Sequence, residues 1–414
     1  MSIDALLRNI DSEISEILNN SLSNKEISTT DTIKLFNVNG LELSLLNLIA
    51  NVLRKRQNGN IVTYVINRNI NFTNVCIKQC GFCAFSRDFR TEEGYLLPIE
   101  EIVTRAKEAW NYGATEVCIQ AGLPPNMDGH LYIDICKAIK KELPDIHIHA
   151  FSPEEILYGA KMANTSILEY LKMLKEAGIG SLPGTSAEIL VKEVRDKISP
   201  GRISVEDWIN VIKTAHKLGI STTSTIMYGH IETVKDIVKH LDILRNIQKE
   251  TKGFTEFVPL SFVHGESPMY NRNLIKNMRP GAEGVEILRM HAISRIFFNS
   301  QINNIQVSWV KEGQKLSQII LETGANDFGG SLINESISTS AGSQYGQLMR
   351  PKDIRKIISS IGRTPAQRTS NYKIIKEYKN DDEIEYESDL DKIDPSIFGS
   401  YKELITINKY RYKR

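Results

Sequence analysis

From residue 61 to about residue 361 the chain repeats one unit, a short apolar or β-branched run followed by an amphipathic helical stretch. Candidate strands fall at 62–71, 116–121, 146–151, 178–182, 221–228, 254–262, 305–310 and 323–328. Strands separated by helices are joined by crossovers, and crossovers belong to parallel sheets. Eight such units predict an α/β fold, a closed (β/α)8 TIM-type barrel with helices outside and a packed interior. In that architecture the loops at the carboxyl ends of the strands form the catalytic face.

The flanks differ from the repeat. Residues 1–57 read as an N-terminal helical extension, with Leu41, Leu45, Leu48, Ile49 and Val52 at three-to-four spacing. The expected plan is therefore an extension at 1–57, a barrel domain at 58–372 and a charged C-terminal tail at 373–414. The acidic residues from Asp381 to Asp391 and the basic end from Lys409 to Arg414 predict a loosely docked or mobile tail. The chain has 51 Lys and Arg against 50 Asp and Glu, so no net field draws in nucleic acid. No run approaches the roughly 18 apolar residues needed to cross a bilayer, and the first residues alternate apolar with charged groups, unlike a signal peptide. Five cysteines do not make a disulfide framework. A cytoplasmic protein is expected.

Three helix starts carry capping chemistry. Ser152-Pro153-Glu154-Glu155 and Thr185-Ser186-Ala187-Glu188 have the capping-box pattern, and Ser204 with Asp207 is a weaker version. The first two directly follow candidate strands and so mark loops of the catalytic face.

Cys76, Cys80 and Cys83 stand at C-x3-C-x2-C spacing just after the first strand. Three thiolates on one short loop can ligate three corners of a [4Fe–4S] cluster and leave the fourth iron open. Structural zinc usually takes four Cys or His ligands, and the next histidine along the chain is His130. Iron–sulfur is the favoured reading. Zinc and unligated thiols remain the alternatives.

With Phe82 directly before the last cysteine, this loop resembles that of the radical S-adenosylmethionine (SAM) superfamily. The resemblance implies that the open iron chelates the methionine end of SAM, that Phe82 packs beside the adenine, and that reductive cleavage yields a 5′-deoxyadenosyl radical. Gln120-Ala121-Gly122 is similar to the family's glycine-rich turn for the SAM amino group, with Ala121 where glycine is usual. The stretch from Thr225 to Glu232 resembles the adenine-contacting G-x-I-x-G-x-x-E pattern and would bring in Met227 and Gly229; Thr225 and Met227 depart from it. An ordinary strand end before an acidic helix start fits those residues equally well. Thr185 and Glu188 either reach the SAM ribose or only close their capping box.

Longer stretches resemble one branch of the superfamily: Asn67 to Asn74, His147 to Pro153, Leu182 to Thr185, Ser224 to His230, Gly324 to Gly330, and Gly362 to Thr369. That branch is the tyrosine-using transferase family of deazaflavin coenzyme synthesis. The implied substrates are L-tyrosine and 5-amino-6-(D-ribitylamino)uracil. The tyrosine Cα–Cβ bond would break, a 4-hydroxybenzyl fragment would join the uracil, and 2-iminoacetate, methionine and 5′-deoxyadenosine would leave. An electron donor of ferredoxin or flavodoxin type and a second, ring-closing radical SAM partner are implied as well. One cysteine loop points to the stand-alone half of that pair. The rivals are a futalosine-pathway enzyme of menaquinone synthesis, the tyrosine lyase of thiazole synthesis and, from another class, a zinc-stabilised binding protein.

The remaining polar residues are weighed by position. His147 and His149 share one face of their strand and are read as metal ligands, substrate contacts or structural groups. Cys118 shares a face with Glu116 and Gln120, yet it and Cys136 read as small buried side chains. Glu256, Ser261, His264 and Gln306, then Ser308, Asn326 and Asp327, lie near carboxyl ends of later strands, where substrate groups or strand-end caps belong. Tyr228 and Trp309 either stack on a substrate ring or fill the core.

Overall fold

The computed structural model describes residues 3–78 and 80–413. Ten strands are present: β1 (Ile61–Val65), β2 (Asn67–Ile70), β3 (Glu116–Ile119), β4 (His147–Ala150), β5 (Ser181–Leu182), β6 (Ser221–Tyr228), β7 (Phe254–Ser261), β8 (Asp327–Gly330), β9 (Thr364–Arg368) and β10 (Ile374–Glu377). One curled sheet runs β2-β3-β4-β5-β6-β7, parallel throughout, and a second runs β10-β9-β1-β8. Single parallel bridges from Phe257 to Ile305 and from Gln306 to Asp327 join β7 to β8, and β8 pairs with β1 through Thr63 and Asp327. The ring of the expected barrel is thereby closed.

Several expected elements move. The run at 62–71 is two strands broken at Ile66, because its lower half pairs with β8 and β9 and its upper half with β3. The run at 305–310 is not a strand: only Ile305 and Gln306 bridge, and Trp309 opens the helix Trp309–Leu321. The last expected strand begins at Asp327, since Thr323 N–H donates to the Ile320 carbonyl and keeps the chain in a turn. The β9–β10 hairpin has no clear sequence signal, and Pro365 argues against a strand there; its residues nevertheless pair parallel to β1, Val62 opposite Pro365.

The N-terminal residues form helices Ile3–Leu7, Ser12–Leu22, Thr29–Leu35 and Gly40–Asn58, the last packed on the helix Gly284–Phe298. Its buried stripe is Leu45, Leu46, Ile49 and Leu53, while Leu41 and Leu48 face outward at 45% and 40% exposure. The expected stripe is therefore rotated by part of a turn.

The tail is not loose. Lys352 pairs with Glu385 and Glu387, and Arg355 donates to the carbonyls of Ile384 and Tyr386. Leu390, Phe398, Tyr401 and Tyr410 are buried. The acidic block docks because the helix Pro351–Ser359 offers it cations and unspent donors. Further on, Tyr401 Oη donates 3.0 Å to the Phe85 carbonyl, and Tyr412 N–H donates 2.8 Å to that of Gly94, so the tail wraps the cysteine loop.

Candidate active site

The loop after β2 is held at both ends by backbone bonds. Cys76 N–H donates to Arg87 O at 3.0 Å, Ile77 N–H to Leu123 O at 3.0 Å, and Gly81 N–H to Ile198 O at 3.0 Å. Gly122 lets it come this close, since a Cβ there would meet the Val75 carbonyl oxygen at 2.2 Å. The three cysteines line one cavity of about 410 Å³ at the carboxyl ends of the strands, within the size range of small-molecule sites.

The donor set suits a cluster. Burial pushes the Cys80 thiol up to about 12 and raises Cys76 as well, so neither ionises without a compensating positive charge. Bound iron supplies that charge. Among the described residues no three His, Cys, Asp or Glu converge on a single metal ion; thiolates that ligate separate irons of one cluster stand apart. Arg202 Nη1 lies 3.6 Å from the Cys80 sulfur.

Arg202 organises the neighbouring wall. It donates to Glu188 Oε1 at 2.7 Å and to Ser186 Oγ at 2.9 Å, and its guanidinium lies 5.4 Å from the Phe82 ring centroid. The surrounding thiols and carboxylates raise its pKa further. Ser186 and Glu188 have φ of 65° and 42°, a strained backbone that no helix can contain. The expected capping box at Thr185 to Glu188 is thus absent. Thr185 Oγ1 instead donates to Gln120 Oε1 at 2.7 Å, and Glu188 faces the cavity. By contrast, Ser152 and Glu155 form a complete capping box, and Ser204 caps its helix.

Phe82, Gln120, Ala121 and Gly122 line the cavity, as do Thr185, Glu188 and Met227. Ala121 N–H is taken by Glu155 Oε1 at 3.0 Å and Gly122 N–H by Thr73 O at 2.9 Å, so neither of these N–H groups is free to bind a ligand. Gly229 does not line the cavity. Its φ of 91° and the 2.4 Å approach of Ala282 N to a Cβ built there show a chain-packing role, and its N–H binds Glu232 Oε1.

At the floor, His149 lines the cavity, and burial lowers its pKa to about 4, so the ring is neutral. His147 and His149 both hydrogen-bond Ser181 Oγ at 2.7 Å, and His147 sits below it, off the cavity. Ser308 lines the wall. Four other expected substrate groups point elsewhere. Tyr228 is fully buried on the outward face of β6, one residue out of phase with Met227. His264 stacks edge-on with Tyr270 beyond β7. Asn326 is a structural joint that accepts from Arg295 and from Ile305 N–H. Asp327 is spent on Arg368, at 2.6 and 2.9 Å. Trp309 is core, its Nε1 donating to Gly330 O. Cys118 lines the cavity as a thiol held near 12 by burial, and Cys136 is core.

Sequence reasoning missed Arg202, Arg368 and the second role of Glu155. Arg368 reaches the cavity from the unforeseen β9 and spans Asp327 and Glu256. Glu155 carried a signal, its capping motif, which concealed its bond to Ala121. Arg202 carried none.

A closed parallel barrel with a three-cysteine loop beside a strained, cation-bearing wall defines a radical SAM enzyme, with a [4Fe–4S] cluster and SAM as its cofactors. The comparisons agree: the Radical SAM superfamily model matches residues 70–244 and the CofH/MqnC C-terminal region model residues 251–381. In fold the chain is similar to the FeFe-hydrogenase maturase HydG from Carboxydothermus hydrogenoformans (TM-score 0.68, 18% identity, 89% of this chain and 83% of that one). It is likewise similar to methylornithine synthase, PylB (TM-score 0.63, 19% identity, 84% of this chain and 97% of that one).

In sequence it is 50% identical over 359 residues to a 5-amino-6-(D-ribitylamino)uracil–L-tyrosine 4-hydroxyphenyl transferase of Methanocaldococcus jannaschii, covering 86% of this chain and 99% of that protein. The transferase of the same description from Methanothermobacter thermautotrophicus is 47% identical over 369 residues, covering 89% and 100%. The chain belongs to this transferase family.

Proposed function

We propose that this chain joins the 4-hydroxybenzyl group of L-tyrosine to 5-amino-6-(D-ribitylamino)uracil in deazaflavin coenzyme synthesis, releasing 2-iminoacetate, methionine and 5′-deoxyadenosine. The carrying observation is the identity of about half, over 86–89% of this chain, to transferases of that description, together with three cysteines lining a cavity of about 410 Å³. That identity spans both halves of the chain, which favours the transferase over the menaquinone and thiazole rivals. When bound, the cluster and SAM supply the radical that removes a hydrogen atom from tyrosine.

The chain's own residues bind, orient and exclude water. Cys76, Cys80 and Cys83 ligate the cluster, and Arg202 neutralises charge at Cys80. Phe82 and Met227 offer apolar surface to the adenine. Thr185 and Glu188 offer polar groups to the ribose, and the Gln120-Ala121-Gly122 turn offers the Ala121 carbonyl to the amino group. His149, neutral and buried, and Ser308 can hydrogen-bond an uncharged substrate. Ser181, Thr223, Thr225 and Thr255 line the cavity, and their hydroxyl oxygens, already bonded to the histidine rings or to main-chain groups, keep lone pairs that can accept from a polyhydroxylated ribityl chain. The reductant is of ferredoxin or flavodoxin type, the ring-closing step belongs to a second radical SAM partner, and the setting is the cytoplasm. Among the described residues no helix is long and apolar enough to cross a membrane.

The test is anaerobic. Reconstituted protein with SAM, dithionite, tyrosine and the diaminouracil should give 5′-deoxyadenosine and a coupled adduct. An adduct that forms without tyrosine overturns the reading.

A further inference from the structure

Four cations line the cavity: Lys78, Arg202, Lys311 and Arg368. Three are already paired. Lys78 meets Glu154 at 3.1 Å, Arg202 meets Glu188 at 2.7 Å, and Arg368 meets Asp327 at 2.6 Å. The ammonium of Lys311 has neither an ion pair nor a hydrogen bond among the described residues. Its backbone N–H is tied to Ser308 O at 2.9 Å, as is that of Glu312 at 3.0 Å, in a single turn that ends at the kink at Gly313 (φ 72°), so the side chain is presented from a hydrogen-bonded turn.

Two of the three acids near Lys311 are engaged elsewhere. Glu335 accepts from Ser338 N–H at 2.8 Å and Thr339 N–H at 3.2 Å, and Glu188 holds Arg202. Glu312, the next residue along, makes no ion pair with Lys311: its Oε1 is buried without a hydrogen-bond partner, and burial raises its carboxyl pKa toward the neutral form. A cation taken out of bulk water without a counter-charge is unfavourable, and burial accordingly lowers the pKa of Lys311. The arrangement is completed by an anion that arrives with a ligand.

We infer that Lys311 receives the carboxylate of the amino-acid substrate. The inference rests on the transferase reading above and deepens it. Tyrosine brings a carboxylate, whereas the ribityl-uracil is an uncharged polyol suited to the hydroxyls that line the cavity. The cations at the cluster end, Lys78 and Arg202, are already spent on Glu154 and Glu188.

The test uses reconstituted holoenzyme with SAM, and compares tyrosine with tyrosine amide, which lacks the negative charge. Wild-type enzyme should bind tyrosine at least tenfold more tightly than the amide in equilibrium dialysis. Lys311→Met should weaken tyrosine binding on the order of tenfold to a hundredfold and the amide by less than about threefold, so that the preference collapses. Lys311→Arg, which keeps the charge, should retain part of it. Equal loss for both ligands, an unchanged preference in Lys311→Met, or a raised KM for SAM with tyrosine binding intact overturns the assignment while leaving the transferase reading standing. A wild-type enzyme that forms no adduct from tyrosine overturns both.

Discussion

Arg202 Nη1 stands 3.6 Å from the sulfur of Cys80 while the same nitrogen donates 2.7 Å to Glu188 Oε1, so one guanidinium couples the cysteine loop to the strained wall after β5. Hydrogen bonds and positive charge beside a cluster ligand stabilise the reduced, more negative state. Arg202→Met should therefore shift the cluster potential downward, as read by a titration followed by electron paramagnetic resonance. An unchanged potential would show that the contact does not reach the cluster electronically.

Cys80→Ala should abolish iron and sulfide retention and SAM cleavage while the far-ultraviolet circular dichroism stays that of the wild type. The loop lies at the rim of the cavity, and the hydrophobic core is built by the barrel and its helices. Turnover by a cluster-free variant would contradict the site.

Gly122→Ala places a methyl 2.2 Å from the Val75 carbonyl oxygen, a backbone atom that cannot swing aside. Overpacking of this kind costs about 1–3 kcal/mol. The expected result is lower iron occupancy after reconstitution and a lower unfolding midpoint in urea.

Tyr401 Oη donates to Phe85 O and accepts from Asn74 Nδ2, both in or beside the cysteine loop. Tyr401→Phe should cost about 1 kcal/mol through the lost hydrogen bonds, and Tyr401→Ala about 3–5 kcal/mol through the cavity left behind. Hydrogen exchange at residues 74–96 should accelerate in the same order, since the tail clamps that segment.

Acid should destabilise the fold through buried histidines. His240 accepts from Leu190 N–H at Nδ1 and donates to Thr225 O at Nε2, so its neutral form is fully bonded and a second proton would displace a bond. Burial lowers its pKa from 6.5 to about 3, and that of His291 from 6.5 to about 4. Between those values and 6.5 the unfolded chain binds more protons than the folded one, so stability is full above pH 6.5 and falls as the pH drops. Each histidine contributes a loss of about 2 kcal/mol between pH 6.5 and 5. Burial raises the Glu155 and Glu256 carboxyls to about 7, and these act in the opposite sense over the same window, so the check is the difference between wild type and His240→Gln: a pH slope of the urea midpoint that the substitution leaves unchanged would refute the assignment.

The parts legible in the sequence are those set by local chemistry. The period-two and period-3.6 rhythms placed most of the strands, because burying one face of a strand or helix is a requirement each segment carries with it. The cysteine spacing is likewise local, since three ligands within one loop need no distant partner to be recognised. The failures have a common cause. Thr185 to Glu188 spells a capping box, but Arg202, Gln120 and the Glu188 backbone strain override it. Asn326 and Asp327 stand at a strand end and look available, yet Arg295 and Arg368 consume them from elements remote in sequence.

By itself, the sequence determined a parallel α/β barrel and a loop of three cysteines spaced to hold a cluster, because strand periodicity and cysteine spacing are properties of contiguous residues; the family of chemistry came from resemblance over longer stretches. Only the tertiary structure decided which polar groups are free. Pairing depends on which remote side chain comes within reach, and so Arg202 joins Cys80, Arg368 neutralises Asp327, and Lys311 lines the cavity with no ion pair among the described residues.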